Sequence, residues 1–393
     1  MKKRVLAILM AASLTAALAG CGSSSSSGTT AAATTAATTA AAAETTAAET
    51  TTAAAGSGAE TSAAESKAAS GSVEKTPDVT PNADATKITI AVPDPEESYI
   101  GVAAKEFANR AMKYSNGTLD ISVSGNGSLY GGDTAAGIKQ LSAGSLKMLI
   151  LATSVYASFE PGYNVISVPY MFDDQAQLLD YLNSDTGREL MGRMSSQGIM
   201  TVGSWTRSFR EITNSKLPIT KPDDLKGVVL RVPNNSLYVE FFNACGAVTT
   251  PMNFSEVYNA LQLHTLDGQE NPVDVPYSNK FYEVQKYISF TDHMADAWLV
   301  GVNSKFFEGL TQEQQDAITK AAEEVQQWNV DYMDSENGTA LQTLIDNGME
   351  ANELTDEAKQ QFVDVSKSCY DKFKELIQDD DLFSATAKFT GRE

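Results

Sequence analysis

Histidine, cysteine, arginine and long apolar runs are all scarce in this 393-residue chain, and each scarcity removes a class of function. The two histidines, His264 and His293, stand far apart in sequence. Neither H-E-x-x-H nor G-x-S-x-G occurs. Three cysteines at scattered positions give no zinc-ligand spacing. A secreted hydrolase of acidic substrates would therefore lack a matched acid, base and nucleophile, so the chain reads as a non-enzyme, and nothing calls for a cofactor or metal. Basic residues number 29 against 50 acidic ones, a formal charge of −21, which argues against a nucleic-acid partner. Beyond the N-terminal leader no stretch is long and apolar enough to cross a membrane.

Residues 1–20 have the order of a secretory leader: Lys2, Lys3 and Arg4, then the apolar run Val5 to Leu18. The leader closes with L-A-G-C at Leu18 to Cys21, which resembles a bacterial lipoprotein cleavage box. Cleavage there would leave Cys21 as a lipid-bearing N-terminus, anchoring the protein to a membrane on its extracytoplasmic side. Residues 21–85 are Ser, Thr, Ala and Glu with almost no large apolar side chain, so they are expected to form a disordered tether. As a flexible coil its ends would lie on the order of 40–50 Å apart. An extracytoplasmic setting permits a disulfide between the other two cysteines. The small-residue run A-C-G-A around Cys245 favours instead two buried free thiols, Cys245 and Cys369.

From Lys87 strands and helices alternate. A strand I-T-I-A-V, an amphipathic helix Tyr99 to Tyr114 and a strand L-D-I-S-V-S make a β-α-β unit. The glycine-rich loop after it lacks the lysine of a phosphate-binding loop. The habit returns further on: strand Val228–Val232, helix Ser236–Ala244, strand Ala247–Thr250, helix Ser255–Leu263. Thr311 and Gln314 form a capping box that opens a long helix to about Leu344. The fold class is α/β, in two lobes with a cleft between them. The expected division is lobe I from 86–207 plus about 297–336, and lobe II from 208–296 plus about 337–393.

The most informative stretch runs from Arg210 to Pro272. Only eight residues are arginine, and Arg207, Arg210 and Arg231 fall within 25 positions. Arg231 sits inside the apolar strand V-V-L-R-V, where a guanidinium needs an anionic partner. That partner is either a structural carboxylate or a ligand. Asp267, Glu270 and Asp274 read as a solvated acidic loop.

The pieces D-L-K-G-V-V-L-R-V-P, P-M-N-F-S-E-V-Y and D-G-Q-E-N-P occur in order. Together they resemble the solute-binding (DctP-like) subunits of TRAP transporters, the tripartite ATP-independent periplasmic transporters. The resemblance implies a periplasmic-binding-protein-like fold with a long helix spanning both lobes. It implies a carboxylate-bearing organic acid as ligand and a TRAP membrane permease as partner. Residue by residue, it implies that Arg231 clamps the ligand carboxylate, that Arg210 is a second arginine of the site, that Asn271 contacts ligand and that Phe254 lines the pocket. Trp298 fits the family pattern more loosely. Asn234, in the turn after R-V-P, is a further candidate donor. The other readings are a binding lipoprotein of an ATP-driven (ABC) importer or a sensor, and, less favoured, the hydrolase.

Overall fold

The computed structural model describes residues 73–392, which belong to one compact unit. The leader, Cys21 and the tether up to residue 72 lie outside the described residues. Eleven strands follow one another: β1 (Thr86–Ala91), β2 (Leu119–Ser124), β3 (Met148–Ala152), β4 (Ile199–Thr206), β5 (Glu211–Asn214), β6 (Val229–Val232), β7 (Val248–Pro251), β8 (Gly268–Asn271), β9 (Tyr287–Phe290), β10 (Ala297–Asn303) and β11 (Glu350–Glu353). They form two sheets, ordered β2-β1-β3-β10-β4 and β11-β9-β5-β8-β6-β7. The protein is thus α/β with one sheet in each of two lobes.

The first sheet is buried on both faces, and its central strand shows why. β3 reads M-L-I-L-A without a polar residue. Its alternate side chains, Met148 and Ile150, pack with Ile88, Phe107, Trp205 and Val325, while Leu149 and Leu151 pack with Ile138, Tyr156 and Val165. A strand covered on both faces needs a continuous apolar run, because successive side chains point to opposite sides. One covering helix is Tyr99–Tyr114, capped by Ser98. Beside it on the same face lies the 35-residue helix Gln312–Asp346, unbroken through Asn337-Gly338 and opened by the Thr311/Gln314 capping box. At 1.5 Å per residue it is about 50 Å long, and it packs on β4 in one lobe and on the Asp274–Ser278 helix of the other.

The chain crosses between sheets twice besides this helix, at 207–210 and at 291–296, and the two crossings are stitched together. Arg207 N donates to the Asp296 carbonyl (3.2 Å), Arg210 N to that of Met294 (3.1 Å) and His293 N to that of Arg210 (3.3 Å). Among the described residues no helix is long and apolar enough to cross a membrane. Cys245 and Cys369 are both buried and free.

Two sequence expectations are corrected. The tether was drawn to residue 85, but residues 73–85 lie against the first lobe. Thr76 donates through N and Oγ1 to the buried Glu106 carboxylate (2.8 and 2.7 Å), and Trp328 Nε1 donates to the Glu74 carbonyl (2.8 Å). Val73 and Val79 supply the apolar contacts that the Ser/Thr/Ala stretch before them lacks. The C-terminal segment 337–393 was assigned wholly to lobe II. Its last helix, Asp380–Thr390, returns instead to the 161–197 region, where the Tyr181 hydroxyl meets Thr386 (2.8 Å) and Arg193 meets Asp379 (2.9 Å).

Candidate functional site

Parallel strands deliver their C-terminal ends to one place. In the first sheet β1 and β3 run parallel to each other and end at Pro93-Asp94 and at Ser154. In the second, β6 runs parallel to β7 and β8 and ends just after Arg231, while β8 ends on Asn271. Loops leaving such ends are where α/β sheets bind ligands. The two edges face each other across a cavity of about 50 Å³. One water needs ~10–15 Å³, so this space holds several. Its walls include Asp94, Thr134, Ser154, Arg207, Arg210, Arg231, Phe254, Asn271 and Trp298.

Of the residues singled out from sequence, Arg231, Arg210, Phe254, Asn271 and Trp298 meet here. Asn234 does not. It is exposed and donates to Asn253 Oδ1 (3.0 Å). Its neighbour Asn235 turns inward instead, caps the Ser236–Ala244 helix and donates across to the Ser154 carbonyl (2.8 Å) and Asn164 Oδ1 (2.8 Å).

The two arginines of the motif have different surroundings. Arg210 is 2 % exposed and nearly saturated. Its Nε and Nη2 grip Glu270 side-on (2.5 and 2.9 Å), Nη2 also meets Asn271 Oδ1 (3.0 Å), and Nη1 meets Asp296 Oδ2 (3.2 Å). Burial would pull its pKa down, but Glu270 and Asp296 hold it above the ordinary value. Glu270 shows the matching effect: burial alone would raise it, and Arg210 and His293 hold it below the usual carboxylate range. Glu270 is wholly buried, which corrects the reading of 267–274 as a solvated loop. It lies in β8, an inner strand, and His293 Nε2 lies 3.2 Å from its Oε2, the oxygen that Arg210 Nε also meets.

Arg231 has no such partner. It is 4 % exposed, and Nε and Nη2 both donate to one neutral acceptor, the Met252 carbonyl (3.2 and 2.8 Å). Among the described residues no carboxylate lies within 4 Å of it. Burial, with Arg210 and Arg207 nearby, pulls its pKa down to about 10, so it is charged at neutral pH but unneutralised. Phe254 flanks it, with the guanidinium carbon 5.8 Å from the ring centre.

Arg207, noted in the sequence only as one of a cluster, is the third cation. Its guanidinium lies on the Trp298 ring (4.1 Å), and Nη1 meets Asp296 Oδ2 (3.1 Å). Trp298 thus supports a cation as well as walling the cleft. Asp296 in turn accepts from the Thr153 and Ser154 hydroxyls (2.9 and 2.8 Å). Asp94 was also missed. The available signal was its position just past the C-terminal end of β1.

A two-lobed α/β protein with a cleft that holds several waters and one buried arginine without a bonded carboxylate has the form of a receptor for an anion. The model of bacterial extracellular solute-binding proteins, family 7 (DctP), matches residues 91–376, and the chain belongs to that family, the solute-binding subunits of TRAP transporters. It is 30 % identical over 286 residues to the 2,3-diketo-L-gulonate-binding periplasmic protein of Escherichia coli, covering 72 % of this chain and 86 % of that one. It is 33 % identical over 282 residues to the C4-dicarboxylate-binding periplasmic protein of Rhodobacter capsulatus, covering 70 % and 83 %. The fold is similar to the sugar acid binding protein of Advenella mimigardefordensis in complex with galactonate, with a TM-score of 0.75 and 28 % identity over 80 % of this chain and 99 % of that one. Membership sets aside the ATP-driven importer.

Removing Arg210 takes the guanidinium away from buried Glu270, so Arg210→Met should cost about 3–5 kcal/mol of stability. Thermal melting of the ligand-free protein checks this, and an unchanged midpoint would contradict the network's structural role. A second prediction concerns Asp274. Burial, and to a lesser degree Asp94, push its carboxyl up to about 6 from an ordinary 3.8, against the pull of Arg207. A folded value above the unfolded one gives stability that is present below pH 3.8 and lost as pH rises through 6. Asp274→Asn should therefore raise the melting temperature at pH 8 and hardly change it at pH 4; an equal effect at both would contradict the assignment.

Proposed function

We propose that this chain is a lipid-anchored extracytoplasmic receptor in which Arg231 clamps the carboxylate of an organic acid and hands the acid to a TRAP permease. The observation that carries this is the buried, unneutralised guanidinium at the mouth of the cleft. A guanidinium out of water without an anion is costly, and a planar carboxylate matches its fork in two parallel bonds. Arg207 and Arg210 are spent on Asp296 and Glu270, so they position the site and contribute field rather than serving as the primary clamp. Asn271, Phe254 and Trp298 complete the wall around the ligand body. Closure is a shift of population toward the form with better ligand contacts. The crossings 207–210 and 291–296 act as its hinge, and lobe I (73–207 with about 297–336 and the last helix, Asp380–Thr390) and lobe II (208–296 with about 337–379) are the moving bodies.

Arg231→Ala should weaken binding of the cognate acid by about 2–5 kcal/mol. That is roughly 30-fold to a few thousand-fold. The melting temperature of the ligand-free variant should fall only slightly, because no carboxylate is bonded to Arg231 among the described residues. Calorimetric affinity and melting measured together decide the point. Near-native affinity, or a large loss of stability, would remove the clamp assignment. The anchor is tested separately: intact mass of membrane-extracted protein should show an acylated Cys21 at the N-terminus, and an unmodified Cys21 would end that part of the reading.

A further inference from the structure

The cleft holds a second unfilled group, of the opposite kind. Asp94 is buried and lines the cavity on the lobe I side. One of its carboxylate oxygens accepts from Asn279 Nδ2 (3.1 Å), and among the described residues the other has no hydrogen bond. Thr134 lines the same cavity, and the buried hydroxyl of Tyr130 has no hydrogen-bond partner among the described residues. Burial, and then the Asp94 charge, push that hydroxyl above its ordinary value. The site therefore offers a cation in need of an acceptor at Arg231 and an acceptor in need of a donor at Asp94.

We propose, resting on the receptor reading above, that Asp94 determines specificity: it accepts a hydroxyl of the acid that Arg231 holds, so the ligand is a polyhydroxy monocarboxylate and not a dicarboxylate. A second carboxylate reaching Asp94 would set two acceptors of like charge against each other in a buried site. Repulsion of this kind separates ligands that share the same clamp. A hydroxyl supplies the missing donor without adding charge. An ammonium would also donate, but it would meet Arg207, whose charge already acts on Asp94. A site built to hydrogen-bond a hydroxyl rejects an analogue lacking it, because its own polar group is then left unpaired.

Calorimetry on the full chain tests this with D-erythronate, D-gluconate and D-galactonate against succinate, fumarate and L-serine. The tightest binder should be one of the three polyhydroxy acids, at least tenfold ahead of both dicarboxylates and of serine. In Asp94→Asn, shown to be folded by its melting curve, that margin should shrink at least tenfold, partly through stronger succinate binding. A dicarboxylate or serine as the tightest wild-type ligand would overturn the inference while leaving the receptor reading in place. So would an unchanged margin in a folded variant. Binding of none of the six would overturn the receptor reading itself. The wild-type order decides the matter even if the variant does not fold.

Discussion

The buried ion network at the hinge is the constraint on which the site depends. Arg210 holds Glu270 with two nitrogens and shares Asp296 with Arg207. These residues come from both crossings and from the inner strand β8, so one set of bonds fixes the hinge strands and the floor of the cleft together. Buried ion pairs are weak contributors to net stability, but breaking one is costly. The network thus gives register more than strength. Arg207 and Arg210 are bonded to Glu270 and Asp296, which leaves Arg231 as the arginine of the three without a bonded carboxylate among the described residues.

Three polar contacts join the lobes at the cleft. Asn235 reaches the Ser154 carbonyl, Asn279 reaches Asp94, and Ser255 Oγ donates to the Gly132 carbonyl (3.3 Å). Water can replace each of these when the lobes part. Behind them the lobes also share apolar packing, where Val165, Val168 and Tyr170 belong to one buried cluster with Leu237, Tyr238 and Phe241. Ligand bridging Arg231 to lobe I would add the contacts that favour the closed form.

Periodicity and punctuation made most of the fold legible. The Thr311/Gln314 box began the long helix one residue after Thr311, and the V-V-L-R-V run became β6. The arginines were legible as scarce residues in an acidic chain. Their division of labour was not: Arg210, read as a ligand donor, is spent on carboxylates, and Arg231, for which a structural salt bridge was an equal possibility, has none among the described residues. That difference depends on Glu270, whose position looked like an acidic loop because strand β8 is only four residues long and entirely polar after its glycine. Asp94 was invisible for a related reason. A lone aspartate between two prolines has the composition of a turn, and only the convergence of β1 and β6 ends brings it opposite Arg231. The end of the tether was misplaced because two valines in thirteen residues give no period, yet suffice to seat the segment on a core that already exists.

Whether Arg231 and a ligand carboxylate form the decisive pair can be read from a double comparison. The affinities of wild type and Arg231→Ala would be measured for the tightest-binding acid and for its primary amide, which keeps the shape and removes the charge. The account predicts that the amide binds wild type on the order of a hundredfold or more weaker than the acid, at about 1.4 kcal/mol per tenfold. It predicts that most of this penalty disappears in Arg231→Ala. An equal acid-to-amide penalty in both proteins would mean that another group holds the carboxylate.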